Sequence, residues 1–329
     1  MDRAPRERRT PRRMFSIIAT MGLLAGMLAI VASPVGAKVT GPNGRIVYQA
    51  SDPATDSRHL FTSNADGSDV RQLLSHQAEC PTWSPDGSKI LLIDDESPSP
   101  LRPYTINPDG THLVRLGAWK DRKLNLGCGI WSPDGARVAL EGFNETDPQA
   151  LGIYTVRASD GGNLVRITDN PFDMFDFPGD YSPDGSRIVF LRSNSKPQTP
   201  GEESGALVVM NADGTNLRRI TSWGYSGSGG SWSPDGQWIV FNNINGNLFV
   251  IHPDGTGMAQ IPIVTGLGRS FAPHPGWSPD GTRIVFTMLS QKTGYQHDIF
   301  TVRPDGTGLT QVTNNLAAEE FVDWGPHVG

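Results

Sequence analysis

Carboxylates gather in two stretches of this chain, and one histidine occupies a comparable position. Carboxylates can bind a cationic partner or exchange protons, and an imidazole can do so near neutral pH. These residue types predict either recognition of a cationic or polar partner or acid–base chemistry. The candidate binding residues are Asp173, Asp176, Asp180, His274, Glu319 and Glu320.

Motifs for metals and nucleophiles do not accompany these residues. The seven histidines form no His-Glu-x-x-His pair, although His76, His274 and His297 could meet in space. Asp-Gly segments such as residues 64–67 lack the late Glu of a calcium loop. Residues 223–229 depart from Gly-x-Ser-x-Gly, because a serine replaces the second glycine. We therefore expect no metal, no cofactor and no catalytic residue of a known linear motif.

The two cysteines occupy equivalent positions. Cys80 and Cys128 each stand three residues before a tryptophan, Trp83 or Trp131. An exported protein can form disulfides, and a bridge requires Cα atoms within about 7 Å. The spacing predicts that both cysteines lie on adjacent strands, where a bridge can form. Two small buried thiols are the alternative.

A repeated pentapeptide, Trp-Ser-Pro-Asp-Gly, must position all of these residues. It occurs at residues 83–87, 131–135, 232–236 and 277–281, with a Tyr-led variant at 181–185. Each copy precedes a short apolar run such as Arg-Ile-Val-Phe at 187–190. An Asp-Gly turn between two further strands then follows, six times in all, which is a strong hairpin signal. A repeat of about 40–50 residues is typical of solenoids, propellers and arrays.

Six hairpins accompany only five pentapeptides, so one copy is split between the chain ends. Trp324-Gly325-Pro326 lies at the C-terminus, and Asn43-Gly44 begins the first strand of the repeat region. We expect the last strand to join three N-terminal strands in one blade, which removes the open sheet edge. The predicted fold is all-β, a six-bladed β-propeller of four-stranded antiparallel blades. Each repeat Trp should pack between neighbouring blades.

The repeat resembles that of the TolB-like six-bladed β-propeller family, in which Trp-Ser-Pro-Asp-Gly precedes an Ile-x-Phe strand. The resemblance covers residues from about 41 to 326. It implies the fold and leaves the activity open, because propellers carry many unrelated functions. The TolB protein has an additional N-terminal α/β domain, whereas this chain resembles the propeller alone.

The first 37 residues resemble an export signal. Six arginines precede an apolar stretch, and Val35-Gly36-Ala37 fits a cleavage site. Arg12-Arg13 indicates a twin-arginine signal, with a Sec signal or an uncleaved membrane anchor as alternatives. Residues 38–329 are the predicted propeller, periplasmic or extracellular and monomeric. The chain has 28 basic and 34 acidic residues; without the six arginines, Asp2 and Glu7, 22 and 32 remain, a net charge of about −10. Such a domain is a poor nucleic-acid binder.

Strand direction separates the two faces of the predicted ring. All Asp-Gly turns fall on one regular face, and loops of varied length fall on the other, where binding residues tend to lie. The candidate residues map to this variable face, around the mouth of the central tunnel. The leading hypothesis is a non-catalytic exported propeller that binds a protein, peptide or envelope component there. The alternatives are a hydrolase or polysaccharide lyase with a carboxylate/His site, or solvated loop charges with Phe175, Phe177 and Phe321 closing the tunnel.

Overall fold

The structure, a computed structural model, describes residues 41–327 except 53, 56, 95–99, 118–122, 171–173, 195–204, 264–273, 291–295 and 316. The described residues form 24 strands and one short 3-10 helix, Pro148–Ala150. Six sheets of four antiparallel strands build a six-bladed β-propeller, as the repeat predicted. Within the described part of the chain, no helix has the length and apolarity needed to cross a membrane.

The strands of each blade are given from the inside of the ring outward, so the first strand of each blade lies at the ring centre. Blade 1 contains β24 (Ala318–Pro326), β1 (Asn43–Ser51), β2 (Arg58–Ser63) and β3 (Arg71–Gln72). Blade 2 contains β4 (Ala78–Trp83), β5 (Ile90–Asp94), β6 (Pro103–Ile106) and β7 (Val114–Arg115). Blade 3 contains β8 (Asn125–Trp131), β9 (Arg137–Phe143), β10 (Gly152–Arg157) and β11 (Val165–Arg166). Blade 4 contains β12 (Met174–Tyr181), β13 (Arg187–Asn194), β14 (Ala206–Asn211) and β15 (Arg218–Arg219). Blade 5 contains β16 (Ser231–Trp232), β17 (Ile239–Asn242), β18 (Leu248–Ile251) and β19 (Ala259–Gln260). Blade 6 contains β20 (Gly276–Trp277), β21 (Ile284–Ser290), β22 (Gln296–Val302) and β23 (Thr310–Gln311).

The pentapeptide forms the turn between the first and second strand of a blade. In blade 2, the Ser84 hydroxyl donates to Asp86 Oδ1 at 2.7 Å and accepts from the Lys89 N–H at 2.9 Å. Gly87 closes the turn by donating its N–H to the Ser84 carbonyl, at a φ of 69° that favours glycine. The Ser and Asp of the motif are therefore engaged in turn structure.

The tryptophans of the motif pack between blades. Trp232 of blade 5 is fully buried and shares a cluster with Val189 and Leu207 of blade 4. Burial of such a large aromatic side chain contributes strongly to the interface between the two sheets.

Ring closure joins the two chain ends in blade 1, as expected. Asn43 pairs with Pro326 and Ile46 with Trp324 across β1 and β24. The Trp324 indole N–H donates to the Gly44 carbonyl at 3.1 Å. Gly325 replaces the usual serine, because a Cβ there would lie 2.6 Å from the Trp83 ring. The glycine that replaces the motif serine in this last copy therefore allows blade 1 to pack closely against blade 2.

Candidate functional site

A channel runs along the axis of the ring. It has a volume of about 130 Å³ and is lined by the innermost strand of every blade. Residues three positions before the motif aromatic reach it from five blades: Cys80, Cys128, Pro178, His274 and Phe321. Tryptophan and proline side chains of the motif continue its wall. The channel is therefore predominantly apolar.

Backbone irregularities place several of these side chains in the channel. β4 has a register shift between Glu79 and Thr82, which includes Cys80. Cys80, His274 and Phe321 adopt φ values of 53°, 70° and 48°. Non-glycine residues rarely adopt this left-handed conformation, and such positions are held by the surrounding structure. The position three residues before the motif aromatic therefore departs from regular strand geometry in several blades.

His274, a candidate from the sequence, lies in the channel wall. Its ring stacks on Phe321 with the centroids 5.7 Å apart. Burial lowers the pKa of the His274 imidazole to about 4, because the cation would lose its hydration. The ring is therefore neutral at physiological pH, and it can offer one hydrogen-bond donor and one acceptor.

The cysteines are adjacent across blades 2 and 3. The Cα atoms of Cys80 and Cys128 lie 5.4 Å apart, and their sulfur atoms are within bonding distance. This spacing fits a disulfide. A bridge here would join two innermost strands at the channel wall.

Two aspartates at the channel connect neighbouring blades. Asp180 Oδ2 accepts from the Trp232 backbone N–H and from the Ser231 hydroxyl, each at 3.0 Å. Asp323 makes the same kind of contact one half-turn around the ring, where Oδ2 accepts from the Trp83 N–H at 2.8 Å. Asp180 therefore serves the interface between blades 4 and 5.

Asp176 is buried within blade 4 instead of open at the mouth. Its carboxylate accepts two hydrogen bonds from the Arg192 guanidinium, at 2.7 and 2.8 Å, in a bidentate pair. Arg192 therefore compensates the charge of Asp176 within the blade. Asp173 lies outside the described residues.

Glu319 is also buried, between blades 6 and 1. It is 0% exposed, and it accepts from the Thr313 hydroxyl at 3.1 Å and from the Asn315 amide at 2.6 Å. Burial, with a smaller contribution from the nearby charge of Asp298, raises the pKa of Glu319 to about 8. The side chain is therefore mostly protonated at neutral pH.

Glu320 is a candidate carboxylate that stays partly accessible. Its side chain is 35% exposed, and Oε1 lies 4.0 Å from His297 Nδ1. Burial lowers the pKa of His297, although the charge of Glu320 opposes the shift. The two side chains meet at the boundary between blades 1 and 6.

Glu79 and Glu141 form a further acidic pair, which the sequence analysis did not select. Burial raises the pKa of Glu141 to about 7; a hydrogen bond from the Cys128 N–H lowers it, and the charge of Glu79 raises it. Glu79 forms an ion pair with Arg58. A Cβ on Gly127 would lie 2.2 Å from Glu141 Oε1, so the glycine makes room for the carboxyl group. The sequence signal is weak: a glutamate continues the apolar run of 137–140.

Metal coordination has no evident basis in the described residues. No three His, Cys, Asp or Glu side chains among them are grouped as ligands of an ion would be. His76 lies 3.4 Å from Asp94 in blade 2, whereas His297 contacts Glu320 of blade 1.

The closed ring of six four-stranded blades around an apolar channel defines a six-bladed β-propeller. The sequence model of the TolB beta propeller domain matches residues 43–328, and the chain belongs to this family.

Comparisons with known proteins agree with this assignment. A protein TolB homolog of Chlorobium luteolum is 27% identical over 197 residues, which are 46% of this chain and 42% of the relative. This chain therefore spans less than half of that relative. The crystal structure of TolB from Acinetobacter baumannii superposes with a TM-score of 0.65 at 19% identity, covering 86% of this chain and 67% of that one. An oligogalacturonate lyase in complex with manganese gives a TM-score of 0.52 at 13% identity, covering 83% and 86%. These two structural matches show the fold alone.

Proposed function

We propose that this chain is an exported, non-catalytic propeller that binds a protein, peptide or envelope component through the variable face over its axial channel. Export rests on the leader at residues 1–37, which lies outside the described residues. Binding rests on the channel and on the family, whose fold presents a rigid ring with loops of varied length.

This proposal rests on the observation that the polar groups of the channel form hydrogen bonds within the protein. Asp180 and Asp323 bind backbone N–H groups of neighbouring blades, and His274 is neutral. What the channel offers to a partner is an apolar wall, with Glu320 accessible on the same face. An extended peptide segment with apolar side chains, preceded or followed by a basic residue, fits this arrangement.

A blocking substitution in the channel tests the proposal. Thr82 lines the channel, is half-buried and donates to the Gly129 carbonyl at 3.2 Å. Thr82→Arg would fill the channel with a large cation, whereas Thr82→Val keeps the volume and removes only the hydroxyl. We expect the mature domain and Thr82→Val to retain the same component from envelope extracts, and Thr82→Arg to lose it.

Two further substitutions compare a carboxylate next to the channel lining with a carboxylate elsewhere on the protein. Glu320→Gln removes the accessible carboxylate of the mouth, and we expect weaker retention. Asp169→Asn removes a fully exposed carboxylate that is not adjacent to a channel-lining residue, whereas Glu320 directly precedes the channel-lining Phe321, and it serves as the control. Equal retention by the folded Thr82→Arg variant and the parent domain would show that the channel is not the binding site.

A hydrolase or polysaccharide lyase is the second candidate, and the Glu79–Glu141 pair favours it. A carboxyl group with a pKa of about 7 beside an ion-paired carboxylate can donate or accept a proton at neutral pH. If this pair is catalytic, Glu141→Gln should abolish the release of reducing ends or unsaturated products from acidic oligosaccharides. Activity that is unchanged in Glu141→Gln would exclude Glu141 as its acid or base.

A further inference from the structure

A second cavity lies outside the channel, on the face of blade 1 that is turned toward blade 6. We call it the blade 1 groove; it has a volume of about 470 Å³, within the range of small-molecule sites. β1 and β2 supply one side of it, and the connection from β23 to β24 supplies the other through Asn315 and Ala317. None of the channel-lining residues takes part in it.

Strand register explains why one set of side chains meets in the groove. Tyr48 pairs with Phe61, and Ala50 pairs with His59, so all four project from the same face of the sheet. Asp52, two positions beyond Ala50, continues this face into the groove. Arg58 points to the opposite face, where it pairs with Glu79 of blade 2. Arg58 therefore does not line the groove. The Arg45 guanidinium, whose charge acts on Tyr48, is hydrogen-bonded to Asn64 and Asp69.

Tyr48 supplies an unused polar atom. The residue is only 2% exposed and lines the groove, yet its hydroxyl makes no hydrogen bond to any residue that the structure describes. The hydroxyl oxygen is not among the fully buried unpartnered atoms of the described residues, which fits an oxygen that opens into the groove. Burial raises the pKa of Tyr48 well above its ordinary value, with an additional contribution from the charge of Glu319, so the hydroxyl keeps its proton. It can both donate a hydrogen bond to a ligand and accept one.

The remaining walls combine apolar surface with negative charge. The Tyr48 and Phe61 rings stack with centroids 5.9 Å apart, and Val70 is 54% exposed beside them. Asp52 uses Oδ1 to accept from the Ala54 N–H, which leaves Oδ2 for a ligand. Among the described residues that line the groove, none is Lys or Arg. An anionic ligand would lack a counter-charge here.

We propose that the blade 1 groove binds a small organic cation, an amine with an aromatic or other apolar body. The body packs against Phe61 and Val70, the ammonium group faces Asp52, and the Tyr48 hydroxyl accepts one ammonium hydrogen. Aromatic rings beside the site add attraction for a cation. The site is separate from the axial channel, and its occupancy does not depend on whether the channel binds a partner.

Two probes with the same ring and opposite charge test this assignment. We expect 2-phenylethylammonium to bind the full chain in calorimetric titration and to shift the ring resonances of His59, which lines the groove. Phenylacetate, which carries a carboxylate in place of the ammonium group, should bind far more weakly. Equal affinity for the two probes, or no saturable binding of the amine at millimolar concentration, would overturn the proposal.

Conservative variants locate the contacts. Tyr48→Phe removes only the unpaired hydroxyl, and the affinity for the amine should fall by about 2- to 10-fold, the range expected for one hydrogen bond. Asp52→Asn removes the charge and should lower it by about threefold. Tyr104→Phe makes the same chemical change in blade 2, outside the groove, and should leave the affinity unaltered. Since neither groove variant removes a core contact, thermal unfolding should remain that of the parent. An affinity that Tyr48→Phe leaves unchanged would refute the role of this groove.

Discussion

The buried carboxyl group of Glu319 makes the stability of this propeller depend on pH in a defined direction. Its pKa is raised from 4.5 to about 8, chiefly by burial. Between these two values the folded chain holds a proton that the unfolded chain has released. Stability contributed by the protonated group is complete below pH 4.5 and is lost as the pH rises toward 8. At 1.36 kcal/mol per pH unit, the difference between 4.5 and about 8 gives an upper bound of about 5 kcal/mol.

Glu319→Gln removes this titration while preserving the hydrogen bonds. The amide oxygen can accept from Asn315, and the amide NH₂ can donate to the Thr313 hydroxyl oxygen, which also accepts from the Ile299 N–H at 2.8 Å. We expect the variant and the parent to have similar free energies of unfolding at pH 4. At pH 8 and above, the variant should be more stable by a few kcal/mol.

Urea denaturation at pH 4, 6, 8 and 9 measures this difference. Glu141 also has a raised pKa, but it is present in both proteins, so the comparison isolates Glu319. Glu320→Gln makes the same change at the adjacent position and shows what any Glu→Gln substitution in β24 contributes. A difference between Glu319→Gln and the parent that is constant with pH would refute the reasoning, as would a parent that is the more stable of the two at pH 9.

Three further predictions concern the ring. Asp180→Ala should lower the free energy of unfolding by about 2–4 kcal/mol, because two hydrogen bonds to a charged group are lost; a urea midpoint unchanged from the parent would contradict the inter-blade role. Thiol titration of the denatured, unreduced protein should find Cys80 and Cys128 unreactive, and two free thiols would exclude the bridge. Deletion from Phe321 onward removes most of β24, the innermost strand of blade 1, and should abolish cooperative thermal unfolding; a sharp transition in the truncated chain would argue against this closure.

The fold was predictable because the hydrogen bonds that form its turns are local and because the same motif recurs along the chain. Ser84, Asp86 and Gly87 form a turn from their own hydrogen bonds, and the repeat interval sets how much chain each blade contains. The split blade was also recognisable in the sequence, because parts of the motif occur at Trp324 near one end of the chain and at Asn43-Gly44 near the other.

The candidate site was less predictable, because exposure depends on strands that are distant in sequence. Asp176 and Glu320 are both carboxylates near the start of an innermost strand, yet Arg192 of the next strand covers the first, and the second remains accessible. Glu141 was missed for the same reason, since Glu79 and the Cys128 N–H come from other strands.

The number of blades, the turn chemistry and the place where the ring closes could be deduced from the amino-acid sequence, because these depend on short-range hydrogen bonds and on the spacing of the repeat. Which charged side chains are buried and which stay accessible follows only from the three-dimensional packing. Cys80, His274 and Phe321 adopt left-handed backbone conformations, and neighbouring blades bury Glu319 and leave the Tyr48 hydroxyl unpaired at a groove. Those outcomes arise from packing between sheets, which no single repeat contains.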